Sequence, residues 1–180
     1  MKYLYTGDNH FDHENIVWMN NRPFKDVEEM NEEMIRRWNA KVNSNDVVYI
    51  LGDLFYRSSN PERILKRLKG RKRIILGNHD GSWISKVNMD DYFEEVHTLG
   101  TEISDGKRAM TLCHYPLLTW KHAKKNYMIH GHIHNDTSSD YWPLIKVRDR
   151  VLNAGADINN FEPVTFEELL ENNIKFKEEH

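Results

Sequence analysis

Short apolar runs alternate with amphipathic segments over the first eighty residues. KYLYTG, DVVYILGD and RKRIILGNHD each run into a glycine, which predicts three strands. DHENIVWMNN predicts a short helix capped by Asp12, and NPERILKRLKG predicts a helix with Pro61 in its first turn and Gly70 as its stop. DVEEMNEEMIRRWNAKV predicts the longest helix, whose apolar face comprises Val27, Met30, Met34, Ile35 and Trp38. This βαβαβ order predicts a parallel sheet covered by helices.

The pattern changes after residue 99. GTEISDGKRAMTLCHYP predicts a hairpin that turns at Asp105 and Gly106, and NYMIHGHIHN, WPLIKV and RVLNAGAD predict further short strands. TFEELLENN predicts a final helix, with Thr165 as its cap and Glu168 three residues later. The chain has no internal repeat, linker or change of composition, so residues 1–180 are expected to form one domain. The expected architecture is two sheets packed face to face with helices outside.

Composition narrows the class of protein. The 180 residues are 39% hydrophobic and 29% charged, as in one compact globular domain. No apolar run is long enough to span a membrane, and the first residues do not resemble a signal peptide. The single cysteine, Cys113, allows no internal disulfide, so we expect a cytoplasmic protein. A formal net charge of -3 argues against a nucleic-acid-binding surface.

Polar clusters follow the predicted strands at the points where those strands end. YTGDNH, YILGD and IILGNHD end the first three strands, and MTLCHYP and MIHGHIH end two later ones. In open α/β sheets ligands bind beyond the carboxyl ends of the strands, so clusters that are distant in sequence can meet in space. The side chains expected to meet there are Asp8, His10, Asp53, Asn78, His79, Asp80, His114, His132 and His134.

Each cluster by itself has an ordinary structural explanation. Gly-Asp and Gly-Asn-His-Asp are common turn sequences, because asparagine tolerates a positive φ. His114, which precedes Tyr-Pro, could be a hydrogen-bonded core histidine. Two histidines spaced i and i+2 after a glycine, as in GHIH, point more specifically to a metal. Five such clusters at strand ends favour one shared site over five unrelated turns.

The order of these clusters resembles the calcineurin-like metallophosphoesterase superfamily. That order is DNH at 8–10, GD at 52–53, GNHD at 77–80, a histidine at 114 and GHIH at 131–134. The resemblance covers roughly residues 3 to 157, and HFDHENI, NRPF and HYPLLTW are similar to a subgroup of small bacterial and phage phosphoesterases. It implies an α/β (α+β) fold: a four-layer αββα sandwich of two mixed β-sheets flanked by helices, with a two-metal site.

The resemblance also implies two ligand sets that share Asp53. One ion would be held by Asp8, His10, Asp53 and His134, and the other by Asp53, Asn78, His114 and His132. Mixed nitrogen and oxygen ligands suit several divalent ions, with Mn²⁺ as the first choice and Fe, Zn²⁺ and Ni²⁺ left open. Two divalent ions exceed the charge of the two carboxylates, which suits an anionic phosphate ester.

The remaining residues suggest how an ester would be hydrolysed. A hydroxide that bridges the two ions would attack phosphorus, and His79 would assist the leaving group. Asp80 either orients His79 or caps the following helix. Arg57 and His13 are candidate substrate contacts, with a solvated loop charge and a first-turn helix residue as the alternatives. The basic loop TWKHAKKN, beside His114 in sequence, either contacts an anionic substrate or is a solvated loop.

The favoured function is a metal-dependent phosphodiesterase. Its partner would be a small phosphate ester, with a nucleotide among the candidates. A phosphomonoesterase is the nearest alternative, and a metal-free protein scaffold and a small nuclease of single strands remain open. The seven ligand positions and His79 are all present, which argues against a scaffold. The sequence leaves the oligomeric state open.

Overall fold

Two four-stranded sheets form the centre of the protein. The computed structural model describes residues 1–180. The first sheet contains, in spatial order, β1 (Tyr3–Thr6), β2 (Val47–Ile50), β3 (Arg71–Ile75) and β4 (Phe93–His97). The second contains β5 (Gly100–Ser104), β6 (Ala109–Cys113), β7 (Tyr127–His130) and β8 (Val151–Asn153). Every pair in the first sheet is parallel, and in the second only β5 and β6 are antiparallel.

Five α-helices connect and cover these strands. They are α1 (Ile16–Met19), α2 (Val27–Lys41), α3 (Glu62–Leu65), α4 (Trp142–Lys146) and α5 (Phe166–Glu179). Short 3₁₀ turns lie at 80–82, 84–86, 89–91 and 156–158. None of the helices combines the length and the apolar character needed to cross a bilayer.

Three apolar clusters define four layers. On one face of the first sheet, Val48 and Ile74 pack with Met34 and Trp38 of α2. Between the sheets, inward-facing residues of both meet in a second cluster that contains Tyr5, Tyr49, Leu51, Met110, Leu112 and Ile129. On the far face of the second sheet, strand residues pack against α4 in a third cluster that contains Cys113, Met128, Trp142, Ile145 and Val151. The α/β fold class and the layered sandwich expected from the sequence are confirmed.

The two longest helices begin as their sequences predict. The Asp26 carboxylate accepts a hydrogen bond from the backbone N–H of Glu29 at the start of α2. At the start of α5, Thr165 and Glu168 form a reciprocal capping box. Both caps satisfy backbone N–H groups that have no partner within the helix.

Two elements differ from the sequence prediction. WPLIKV is a helix rather than a strand, because Trp142 and Ile145 lie three residues apart and bury the same helical face against the second sheet. The strand β4 was not predicted, since FEEVH is half charged. Only its first residue, Phe93, is fully buried there, and the strand lies at the edge of the first sheet.

Two further details need correction. The first sheet is parallel throughout, so only the second of the two sheets is mixed. Asp12 does not cap α1, whose cap is Asn15. Instead Asp12 has a left-handed backbone conformation with a φ of 65°. Its carboxylate accepts hydrogen bonds from Asn31 and Arg63. Tertiary partners thus outcompete a local cap at this position.

The stabilising effect of the α5 capping box can be tested by mutation. Thr165→Ala removes the acceptor for the Glu168 N–H, and we expect it to lower the free energy of unfolding by about 1 kcal/mol. Chemical denaturation followed by circular dichroism measures the change. Thr119→Ala, at an exposed threonine outside any helix, is the matched control. Equal stability of the two variants would contradict a stabilising cap.

Candidate metal centre

The polar clusters predicted from the sequence meet beyond the carboxyl ends of β1, β2, β3, β6 and β7. Backbone hydrogen bonds join the loops that carry them. The N–H of Asp8 donates to the carbonyl of Gly52 at 3.0 Å, and the N–H of His10 donates to the carbonyl of Asp53 at 3.0 Å. The N–H of Gly131 donates to the carbonyl of His114 at 2.9 Å, which ties the loops of the second sheet together. The ligand candidates are therefore positioned by the backbones of both sheets.

Most of the ligand candidates have a left-handed backbone conformation. Five of the seven ligand candidates have a positive φ, between 49° and 72°: Asp8, His10, Asp53, His132 and His134. This region is sparsely populated by residues other than glycine and is concentrated at binding and catalytic sites. The surrounding hydrogen bonds must stabilise these conformations, which marks the cluster as a functional site rather than a set of ordinary turns.

Two glycines leave the room that the cluster needs. Gly52 has a φ of +86°, and a side chain there would collide with the His114 ring. A side chain at Gly77 would collide with the carboxylate of Asp53. Only glycine fits at these two positions, because a polar side chain of another loop occupies the space that a Cβ atom would need.

The first ligand set surrounds His10. Ligand atoms of Asp8, His10 and His134 lie within 4.8 Å of one another. The Nε2 atom of His10 is buried, has no hydrogen-bond partner and lies 3.7 Å from Oδ2 of Asp53. A buried ring nitrogen without a partner is costly, and a metal ion is the partner that this donor set fits.

The second ligand set lies on the other side of Asp53. Oδ1 of Asn78 lies 3.0 Å from Nε2 of His114 and 3.1 Å from Nδ1 of His132. Nε2 of His114 is in turn 3.5 Å from Oδ2 of Asp53. These four groups converge in the structure. Asp53 lies close to both sets, and Asp8 also lies within 4.8 Å of Asp53 and His114. The residues present fit two divalent ions that share Asp53.

The charges of the cluster respond to its burial. Burial, with Asp53 nearby, raises the pKa of Asp8 to about 6. Burial alone would lower the pKa of His114, but the carboxylates of Asp53 and Asp8 outweigh it and raise that pKa to about 9. Burial and the nearby His134 and Arg22 hold the pKa of His10 well below its usual range. Ligand atoms must be free of protons to bind a metal, so ions and protons compete for this site.

A buried ion pair supports His134 from behind. Nδ1 of His134 lies 2.8 Å from Oδ2 of Asp157, which leaves Nε2 as the nitrogen available to an ion. Nε of Arg22 donates to Oδ1 of Asp157 at 2.9 Å, and both side chains are almost completely buried. The two Nη atoms of Arg22 donate to the carbonyls of Asn9 and Asp8 at 2.8 Å each. One guanidinium thus links the support of His134 to the backbone of the first ligand motif.

Asp157 was not among the residues predicted from the sequence, and Arg22 was assigned no function there. The pair is separated by 135 residues, so no local pattern connects the two. Each lies in a short motif, Arg22 in NRPF and Asp157 in NAGADINN. His114 is held by a different partner that the sequence could not reveal, since its Nδ1 lies 2.7 Å from the carbonyl of Leu51. In both cases the nitrogen that faces away from the cluster is fixed, a common arrangement for metal-binding histidines.

Asp80 does not hydrogen-bond the imidazole of His79, and this part of the sequence-based interpretation is wrong. Its Oδ2 accepts the N–H groups of Asp53 at 2.8 Å and Gly77 at 2.7 Å. Its Oδ1 accepts the N–H of Leu54 and Nε1–H of Trp83. Nor does Asp80 cap the following turn, whose cap position is His79 without a side-chain bond. The fully buried carboxylate of Asp80 therefore joins the loops that carry Asp53 and Asn78.

The remaining candidates form a wall beside the first ligand set. The backbone N–H of His79 donates to Oδ1 of Asp53 at 2.8 Å, and its half-buried ring lies 5.4 Å from the ring of His10. His13 stacks on Tyr56 with 3.8 Å between ring centroids, and the Arg57 guanidinium lies 5.2 Å from the same Tyr56 ring. His13 and Arg57 thus border the cluster, which leaves their proposed contact with substrate a prediction.

The basic loop TWKHAKKN lies elsewhere. Lys121 pairs with Glu102 of β5 at 2.7 Å, and Nε1–H of Trp120 donates to the carbonyl of Asn126 just before β7. The chain leaves His114 at the end of β6 and must return to the start of β7, because the two strands are parallel. This path places the loop near the start of β7, and it favours the solvated loop over the substrate contact among the two alternatives.

Comparison with known proteins agrees with this geometry. The family model described as calcineurin-like phosphoesterase matches residues 1–178. An uncharacterized protein of Methanocaldococcus jannaschii is 32% identical over 171 residues, which cover 93% of this chain and 89% of that protein. The Gene 66 protein of Mycobacterium phage L5 is 28% identical over 161 residues, covering 73% of this chain and 76% of that protein.

A solved structure shares the fold. The crystal structure of a protein of unknown function from Aquifex aeolicus superimposes with a TM-score of 0.73 at 23% identity. The match covers 94% of this chain and 97% of that one. At this level of identity the likeness concerns the fold alone.

The support of His134 can be tested through metal affinity. Asp157→Asn keeps an acceptor for Nδ1–H but removes the negative charge that raises the basicity of the ring. We expect Mn²⁺ affinity, measured by isothermal titration calorimetry, to fall about 10- to 100-fold. Asp140→Asn changes an exposed aspartate and serves as the control. Unchanged affinity in Asp157→Asn, with secondary structure retained, would show that Asp157 does not support the metal centre.

Proposed function

The chain belongs to the calcineurin-like phosphoesterase family, and we propose that it hydrolyses phosphodiesters at a centre of two divalent ions, Mn²⁺ first among them. The observation that carries this proposal is the position of Asp53. Oδ2 of its carboxylate lies 3.7 Å from Nε2 of His10, in the first ligand set, and 3.5 Å from Nε2 of His114, in the second.

Each ligand set combines carboxylate or amide oxygen with imidazole nitrogen. Asp8, His10 and His134 would complete the first site around Asp53, and Asn78, His114 and His132 would complete the second. When bound, two such ions neutralise charge on the phosphoryl oxygens and lower the pKa of water, so that a nucleophile is available near neutral pH. The protein's own contribution is to fix the ligands before the ions arrive.

Backbone hydrogen bonds hold the two carboxylates of the cluster in place. The N–H of His132 donates to both oxygens of Asp8, at 2.9 and 2.8 Å, and the N–H of His79 donates to Asp53. Neither carboxylate can turn away from the cluster without breaking these bonds. Preorganised ligands avoid a reorganisation cost when substrate binds.

His79 is the residue that we place at the leaving group. Its ring lies between those of His10 and Tyr56, at 5.4 Å and 5.0 Å, and its imidazole makes no hydrogen bond within the protein. It follows Asn78 directly, so its side chain takes a different direction from that ligand. A histidine in this position can donate a proton to the departing oxygen.

The substrate preference is argued from access. Asn78 and part of His132 are open to solvent. An open site accommodates a group on both sides of phosphorus, which a diester requires. His13 and Arg57, on the wall beside His10, would meet one of these groups, and Arg57 would supply a positive charge for a phosphoryl oxygen.

Hydrolysis of two chromogenic esters tests the proposal. We expect metal-free protein to hydrolyse bis-p-nitrophenyl phosphate once Mn²⁺ is added, and to prefer it to p-nitrophenyl phosphate. Asp53→Asn removes the shared carboxylate and should abolish turnover and weaken Mn²⁺ binding. His79→Ala should bind Mn²⁺ as the unchanged protein does but lower kcat by about 10²- to 10⁴-fold.

Two surface variants control for the substitutions themselves. Asp90→Asn and His180→Ala change exposed residues away from the cluster and should leave both activities unchanged. Metal binding with a preference for the monoester would replace the diesterase by a phosphatase. Failure to bind Mn²⁺, together with no activity on either ester, would contradict the enzyme and favour a protein-binding scaffold.

A further inference from the structure

A surface cavity lies away from the metal centre. It has a volume of about 840 Å³ and is bordered by the starts of β7 and β8, by the loop that precedes β7 and by α5. Tyr127 opens β7 at the cavity, whereas His130 closes the same strand beside the metal centre. Tyr127 and His130 are three residues apart along the strand, roughly 10 Å, and no ligand candidate lines the cavity.

Unpaired positive charges converge on this cavity. Five cationic side chains line it, against the two carboxylates of Asp149 and Glu178: Lys124, Lys146, Arg148, Arg150 and Lys177. None of the five lies within 4.0 Å of a carboxylate oxygen, although most arginines elsewhere are paired. Five cations against two carboxylates leave an excess of positive charge at this cavity, on a chain of net charge -3, and such an excess attracts an anion.

Three of these cations are held in place by backbone carbonyls. Arg148 donates to the carbonyl of Leu118 at 2.7 Å, and Arg150 donates to that of Lys125 at 2.9 Å. Lys177 donates to the carbonyls of Arg148 and Val151 at 2.7 Å each. Each bond leaves further N–H groups of the same side chain free. Cations fixed in this way lose little conformational entropy when an anion binds.

The rest of the cavity lining is apolar or aromatic. Leu152 is buried at its base, and Trp120 and Tyr127 are half-buried at its side. Val147 is 77% exposed and Ile174 is 49% exposed, so two large apolar side chains face solvent at this cavity. A simple inorganic anion would leave this surface uncovered. The lining favours a ligand with a negative group and an apolar or aromatic body.

We propose that this cavity is a second ligand site, which binds an organic phosphate with an aromatic body such as a nucleoside phosphate. The phosphate would lie against the unpaired cations, where arginine offers the paired N–H geometry that phosphate oxygens accept. The ring would cover the exposed apolar residues beside Trp120. The cavity volume falls within the range of sites for ligands of this size.

Calorimetric titration with ADP in the presence of EDTA tests this site, because EDTA keeps divalent ions from the metal centre. We expect one ADP to bind per chain, with an affinity that falls as salt concentration rises. Adenosine lacks the charge and inorganic phosphate lacks the ring, so each should bind at least about tenfold more weakly. Inorganic phosphate that binds as tightly as ADP would overturn the assignment of an aromatic ligand.

A charge-reversed pair of exposed lysines identifies the place of binding. Lys124→Glu with Lys146→Glu changes two side chains that make no hydrogen bond or ion pair, and should weaken ADP binding by at least about tenfold. Lys107→Glu, at an exposed unpaired lysine in the turn between β5 and β6, should leave it unchanged. Both variants should hydrolyse the chromogenic diester like the unchanged protein. ADP binding that survives the double substitution, or is lost in Asp53→Asn, would overturn the proposal.

Discussion

The position of the Asp53 carboxylate is the constraint on which the centre depends. Its backbone N–H donates to Asp80 at 2.8 Å, its carbonyl accepts the N–H of His10, and its Oδ1 accepts the N–H of His79. These bonds join the loop that carries Asp53 to two others, the loops that follow β1 and β3. They can form together only because β1, β2 and β3 pair in parallel and end at one edge of the sheet. The register of these parallel strands therefore fixes the position of Asp53, and with it the position of the two ligand sets relative to each other.

The free-energy cost of burying charged carboxylates explains why the cluster is surrounded by other buried polar groups. Asp8 and Asp53 are almost fully buried carboxylates, and a buried charge is costly unless a partner compensates it. In the absence of ions, the raised pKa values of Asp8 and His114 show that protons supply part of that compensation. Divalent ions supply it more completely. The cluster is thus built for cations, and its strained backbone conformations fit a site whose stability increases on binding.

The layered fold, and the meeting of the candidate ligands at one place, could be predicted from the sequence. A buried strand that ends in glycine and then in metal-ligand residues is a local pattern. Four such patterns, with His114 after a fifth strand, indicate where the strands end. Long-range contacts were out of reach. The pairing of Arg22 with Asp157 spans 135 residues, and nothing in the local sequence of Asp80 indicates that its acceptors face the backbone of Asp53. The helix α4 was misread because WPLIKV is too short for its period to be recognised.

The central claim, that two ions share Asp53, is tested most directly by crystallography. Crystals grown with Mn²⁺ should give two anomalous peaks about 3.5–4 Å apart, both within coordination distance of the Asp53 carboxylate. His10 and His134 should contact one peak, and His114 and His132 the other. A single peak, or two peaks of which only one contacts Asp53, would contradict the shared-carboxylate centre.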